Sequence, residues 1–282
     1  MLAYTINDAM VKEIARNYPI GEVIFIRGIF AVLLIGTVVV ALGHARELRH
    51  VGSRPIVVRS MFDGLSTACF VIALVHMKLA DLAAVLQVSP LILAALSVVF
   101  YRESVGWRRW TAIIVGFIGA LFVVKPTPSA FDVWALVALL AAVSSALRET
   151  QTRQIDRRMP TIVIALMGAS AIVVVGLLLA LNETWRPMAL RDVGMLAAAA
   201  VFVGIATYLM TLAFRGVDLS VVAPFRYSYL LTSAIAGYLV FSEIPDLWSA
   251  AGAGLIVASG LYALHREAVR RRELTAKATP AA

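Results

Sequence analysis

The sequence predicts an all-α polytopic membrane protein of about ten transmembrane helices, arranged as a 5+5 inverted-topology repeat. Three observations carry this. Hydrophobic residues make up 61% of the 282 and charged residues only 15%, where a soluble domain carries about 25% charged. Uncharged runs of at least twenty residues recur, as at 82–101, 159–182 and 193–214, too long for barrel strands of about ten residues. The two halves of the chain also echo each other. Ten spans of about 20 residues would use about 200 positions, which leaves no separate soluble catalytic domain. The one cysteine, Cys69, excludes an internal disulfide.

The expected spans are 1–17, 20–42, 56–77, 80–101, 108–125, 131–150, 161–181, 190–213, 218–242 and 246–265. The first is short and polar, with Asn7 and Asp8 in what should be an apolar run, and Pro19 stops it. Residues 1–10 lack the basic start and small-residue cleavage site of a leader. The tail, 266–282, opens with a basic cluster, Arg266 to Arg272, ends in Ala, Thr and Pro, and is expected to be cytoplasmic and disordered.

The formal net charge of +8 is read as membrane topology, and no nucleic-acid partner is expected. With the N-terminus inside, the inner loops and tail hold sixteen Lys and Arg against six outside. Both termini are therefore expected in the cytoplasm and the chain in the cell (inner) membrane.

The repeat is visible in two segments. ADLAAVLQVSPLILAALSVVFYRE (80–103) and VDLSVVAPFRYSYLLTSAIAGYLVFSE (217–243) share an Asp-Leu opening, a mid-span proline (Pro90, Pro224) and a closing Glu. Trp107 to Gly119 and Trp248 to Gly260 then have the same spacing of 12. Five spans separate the copies, and an odd number inverts the second relative to the first, as in many secondary transporters. Residues 1–125 and 131–265 are the expected repeats.

With these segments and PIGEVIFIRGIF in the second span, the chain resembles the EamA-type, ten-span members of the drug/metabolite transporter superfamily. The resemblance covers nearly all of 1–265, and its short first span departs from the pattern. It implies a central cavity and the import or export of small metabolites, and says little about which.

Charges within spans mark candidate sites, since one at a helix centre costs about 2.5–3.5 kcal/mol on insertion scales. Arg27 either anchors an anionic substrate group or snorkels to the outer interface. Arg59 and Asp63, at i and i+4, share a helix face and pair; Asp63 is also the candidate to exchange partners or protons, which makes protons the candidate coupling ion. Asp8 and Lys12 have the same spacing, at the outer mouth or a frayed terminus. Pro224 opens the ninth span beside Arg226, Tyr227 and Tyr229, a candidate substrate wall, with Gln87, Ser89 and Pro90 at the comparable place in the first copy. Glu149 is read as a loop-edge partner of Arg148 or Arg153, and Glu103 and Glu243 as structural. Small-residue pairs, Gly116 with Ala120 and Gly254 with Ala258, suit helix packing and, second to that, a homodimer.

The sequence holds no G-x-x-x-x-G-K-[ST], H-E-x-x-H, C-x-x-C or G-x-S-x-G pattern. No enzyme, cofactor or metal is expected. The expected function is secondary active transport of a small polar metabolite, amino-acid-like or carboxylate-bearing, by alternating access. A non-transporting membrane scaffold or receptor is the alternative.

Overall fold

Helix α1 (Leu2–Ala15) is followed by α2 (Ile20–Ala41), with Pro19 between them where its missing N–H is harmless to α2. The computed structural model describes residues 1–101, 107–124, 133–156, 158–216 and 226–278. Pro224, Asp218 and Glu103 lie outside the described residues. A 3₁₀ turn, His44–His50, leads to α3 (Arg54–His76), α4 (Leu79–Leu86), α5 (Ser89–Tyr101) and α6 (Trp107–Val124). The second half holds α7 (Val133–Thr152), α8 (Thr161–Ala180), α9 (Leu190–Gly216), α10 (Ser228–Phe241) and α11 (Leu247–Ala278).

Among the described residues, α2, α3, α7, α8 and α9 are long and apolar enough to cross a bilayer, and the other apolar helices are shorter. Large apolar side chains point outward along them, among them Leu33, Leu178, Leu209 and Leu239. In water such a surface would aggregate; in a bilayer it is the lipid face. The protein is a multi-pass membrane protein.

Two features differ from the sequence expectation. The fourth span is two helices, interrupted at Gln87 and Val88. Pro90 supplies no N–H to the carbonyl four residues back, on Leu86, so the α-helical ladder cannot run through. The last helix continues to Ala278, well into the stretch expected to be a disordered tail. Its sequence is rich in helix formers and carries Glu267/Arg271 and Glu273/Lys277 at i,i+4, a spacing that composition alone does not reveal.

The packing has the symmetry of an inverted repeat. Helix α1 packs on α9 and α10, and its counterpart α7 packs on α3 and on α4 and α5. The counterparts α2 and α8 pack on each other, and so do α6 and α11. Both of these self-paired seams are lined with glycine. A Cβ on Gly176 would lie 2.6 Å from Phe25 N, and one on Gly28 2.9 Å from Val173 Cγ2. A Cβ on Gly119 would lie 2.8 Å from the Gly252 carbonyl oxygen. Backbones this close maximise dispersion contact where lipid offers no hydrophobic drive.

Candidate functional site

A cavity of about 180 Å³ lies between the two halves. Its walls include Met1 and Tyr4 from the start of α1, Arg148 from the end of α7, Ala165 from the start of α8 and Met210 from the end of α9. Successive spans run in opposite directions, so these positions share one end of the bundle. The cavity occupies the Met1 end and reaches inward as far as Arg27 and Gln87.

Among the described residues, the walls carry three arginines, Arg27, Arg148 and Arg226, and two aspartates, Asp8 and Asp63. Two polar networks hold them. In the first, Arg27 Nη1 donates to Asn7 Oδ1 at 3.1 Å and Asn7 Nδ2 donates to Asp8 Oδ1 at 2.9 Å. The Tyr229 hydroxyl donates to Asp8 Oδ2 at 2.7 Å. This chain ties α2 to α1, and both to α10 of the other half. In the second, Asp63 pairs with Arg59 at 3.3 Å and with Arg148 at 2.8 Å. Glu149 pairs with Arg226 at 2.9 Å and lies 3.6 Å from Arg148. Arg59 also donates to Thr152 Oγ1 and to the Ile164 carbonyl. Alternating charges thus run from α3 through α7 to Arg226, again from one half to the other. Buried ions persist only when paired in this way.

The sequence candidates fall in different places. Arg27, Asp8, Asp63, Gln87, Arg226 and Tyr229 line the cavity. Arg27 is buried and hydrogen-bonded within the bundle, not snorkelling. Arg59 stands behind Asp63 and holds it. Tyr227 departs from the expected substrate wall: it packs on Gly260 of α11, where a Cβ would collide with its hydroxyl. Ser89 is buried off the cavity wall, and Pro90 acts by breaking the helix. Asp8 and Lys12 do not pair with each other, since Lys12 bonds to Glu243. Sequence reasoning missed two residues. Near a span end, Arg148 and Glu149 look like loop-edge residues, yet Glu149 is buried and Arg148 has only 20% of its side chain exposed. The end of α7 is packed inside the bundle, which one helix's sequence does not show.

The end away from Met1 is tied across between the halves. Lys12 Nζ donates to the Met77 carbonyl and to Glu243 Oε1, both at 2.6 Å. Glu243 Oε2 accepts from Leu79 N–H, the start of α4, at 2.7 Å. Lys78 Nζ donates to the Ile244 carbonyl at 2.7 Å. Nearby, Glu183 accepts from the N–H groups of Gly21 and Glu22 at 3.0 and 3.2 Å, so a carboxylate from the second half caps the N-terminus of α2. The Tyr18 hydroxyl donates to Asp192 at 2.8 Å.

Comparison with known proteins agrees with this architecture. The profile of the EamA-like transporter family matches residues 1–125 and again 132–264. The chain belongs to the EamA-like transporter family. Its family is one of transporters, not enzymes. The chain is 31% identical over 255 residues to the pseudopaline exporter of Pseudomonas aeruginosa, covering 90% of this chain and 89% of that one. It is 29% identical over 272 residues to the S-adenosylmethionine uptake transporter of Rickettsia bellii, covering 95% and 91%. A riboflavin transporter of Vibrio cholerae is 30% identical over 191 residues, covering 67% of this chain and 63% of that one. A solved crystal structure superposes with a TM-score of 0.67 at 19% identity, covering 96% of each chain, and shows the shared fold alone.

Proposed function

We propose that this EamA-like protein is a secondary carrier that moves a small polar, carboxylate-bearing metabolite across the cytoplasmic membrane by alternating access. One observation carries the reading. The cavity is walled by both halves, and two of the contacts that hold its charges cross from half to half, Tyr229 to Asp8 and Arg148 to Asp63. A carrier needs a chamber whose two walls can rock against each other. The relatives named as transporters of pseudopaline, S-adenosylmethionine and riboflavin support a small-metabolite cargo and disagree about its direction. Riboflavin bears no carboxylate, so that choice rests on Arg27, Arg148 and Arg226 in the walls. Guanidinium groups bind carboxylates in a two-pronged geometry.

With both termini cytoplasmic, the cavity belongs to the inner half and the tied end faces outward. Residues 1–125 and 131–265 act as the two rocking units. Asp63, held by Arg59 and Arg148, is the group that exchanges partners when substrate arrives, and protons are the coupling ion this suggests. The test is flux into liposomes containing purified protein, screened over amino acids and related metabolites with and without an imposed proton gradient. Carboxylate-bearing solutes should move. Arg226→Ala should reduce flux about tenfold or more, the loss of one charge-assisted contact, while the protein stays folded. Undiminished flux by that variant would remove Arg226 from the site.

A further inference from the structure

We propose that Lys12 and Glu243 form the gate at the end of the bundle opposite the cavity, resting on the carrier reading above. An alternating-access carrier must break its contacts at the tied end to open there, and the cross-half contacts at that end do not have equal standing. Glu183 caps α2 where α2 meets α8, and a Cβ on Gly21 there would lie 2.7 Å from Glu183 Oε2. This contact sits on a glycine seam whose backbones cannot part without losing their packing, so it is static. Lys12 and Glu243 join α1, the α3–α4 turn and the end of α10, none of which lies in the α2/α8 or α6/α11 seam.

The geometry around Glu243 suits a latch. Both of its carboxylate oxygens are engaged by the other half, one by Lys12 and one by the first N–H of α4. Ser242, just before it, has φ 54°, the left-handed region that a non-glycine residue seldom adopts. The Glu243 N–H turns back onto the Gly237 carbonyl at 2.9 Å, which aims the side chain across to the first half. Lys12 is buried with its ammonium on two acceptors, and Phe241 covers it at 5.2 Å. The contact is part-buried and charge-assisted when closed, and each partner can be rehydrated when the ends separate. A latch of this kind sets the balance between the two open states without touching substrate.

Its test uses full-length protein carrying Cys69→Ser, so that an introduced Thr67→Cys on the cavity wall is its one cysteine. A membrane-impermeant maleimide is added from the Glu243 face of oriented vesicles. Labelling should be slow with the latch intact. Glu243→Gln should speed it by about tenfold or more. Glu183→Gln should leave it unchanged. An unchanged labelling rate in folded Glu243→Gln protein overturns the gate. Should Glu243→Gln not fold, Lys12→Cys with Glu243→Cys, bridged by a reducible thiosulfonate cross-linker, reads the same question. Cross-linking should stop flux and reduction restore it, and flux through the intact bridge overturns the proposal. Faster labelling in Glu243→Gln with no metabolite transported by the parent protein would leave the gate standing and sink the carrier reading.

Discussion

Asp63 accepts from two arginines at once, Arg59 and Arg148, and lies against a third residue with no side chain at all. A Cβ on Gly168 would collide with Asp63 Oδ2 and lie 3.0 Å from Arg59 Nη1. The ion pair therefore depends on a glycine of α8 as much as on its own charges. Gly168→Ala should displace the carboxylate and cost about 1–3 kcal/mol, the usual range for overpacking. Gly254→Ala, inside α11 where nothing lies within 4 Å, should keep or slightly raise stability. Thermal unfolding in detergent separates the two. Asp63→Asn should be worse than either, at about 3 kcal/mol, because the buried Arg59 loses its counter-charge and the part-buried Arg148 keeps only Glu149. The Arg59–Asp63 pair was legible from spacing alone, since i,i+4 on one helix fixes proximity. Arg148 and Glu149 were not, because what faces the end of a helix is set by other helices.

The break between α4 and α5 shows what an element adds to its residues. A proline cannot continue the hydrogen-bond ladder, and its ring clashes with the carbonyl four residues earlier. Pro90 thus separates Leu79–Leu86 from Ser89–Tyr101 and leaves Gln87 on the cavity wall, its Nε2 without a hydrogen-bond partner among the described residues. Pro90→Ala should restore a continuous helix, keep or raise the unfolding temperature, and lower the maximal rate of flux, since a straightened span has lost its joint. A parallel fall in both stability and flux would mean that the break is packing and nothing more. This break was readable because the proline is local. The extension of α11 to Ala278 was not, because a basic, alanine-rich tail has the composition of disorder, and its i,i+4 charge spacing shows only when placed on a helix.

At the scale of the whole molecule, two seams are lined with glycine. The α2/α8 and α6/α11 contacts each join a helix to its own counterpart in the other half, so each lies on the pseudo-twofold axis of an inverted repeat, where a rocking motion displaces atoms least. That is where glycines can hold backbones close without resisting the cycle. The inverted repeat was legible because Asp-Leu, proline, Glu and Trp recur in order, whereas the seams were hidden, since Gly119 and Gly252 become partners only after both halves fold. A Cβ at Gly252 would lie 2.5 Å from the Gly119 carbonyl oxygen and 2.9 Å from Phe122 Cβ. Gly252→Ala should therefore lower the unfolding temperature in detergent. Gly176→Ala, 2.6 Å from Phe25 N on the other seam, should do the same. Because neither residue touches the cavity, the protein that does fold should keep the parent's KM for its substrate. A changed KM with unchanged stability would place the seams among the moving parts and require a different axis of motion.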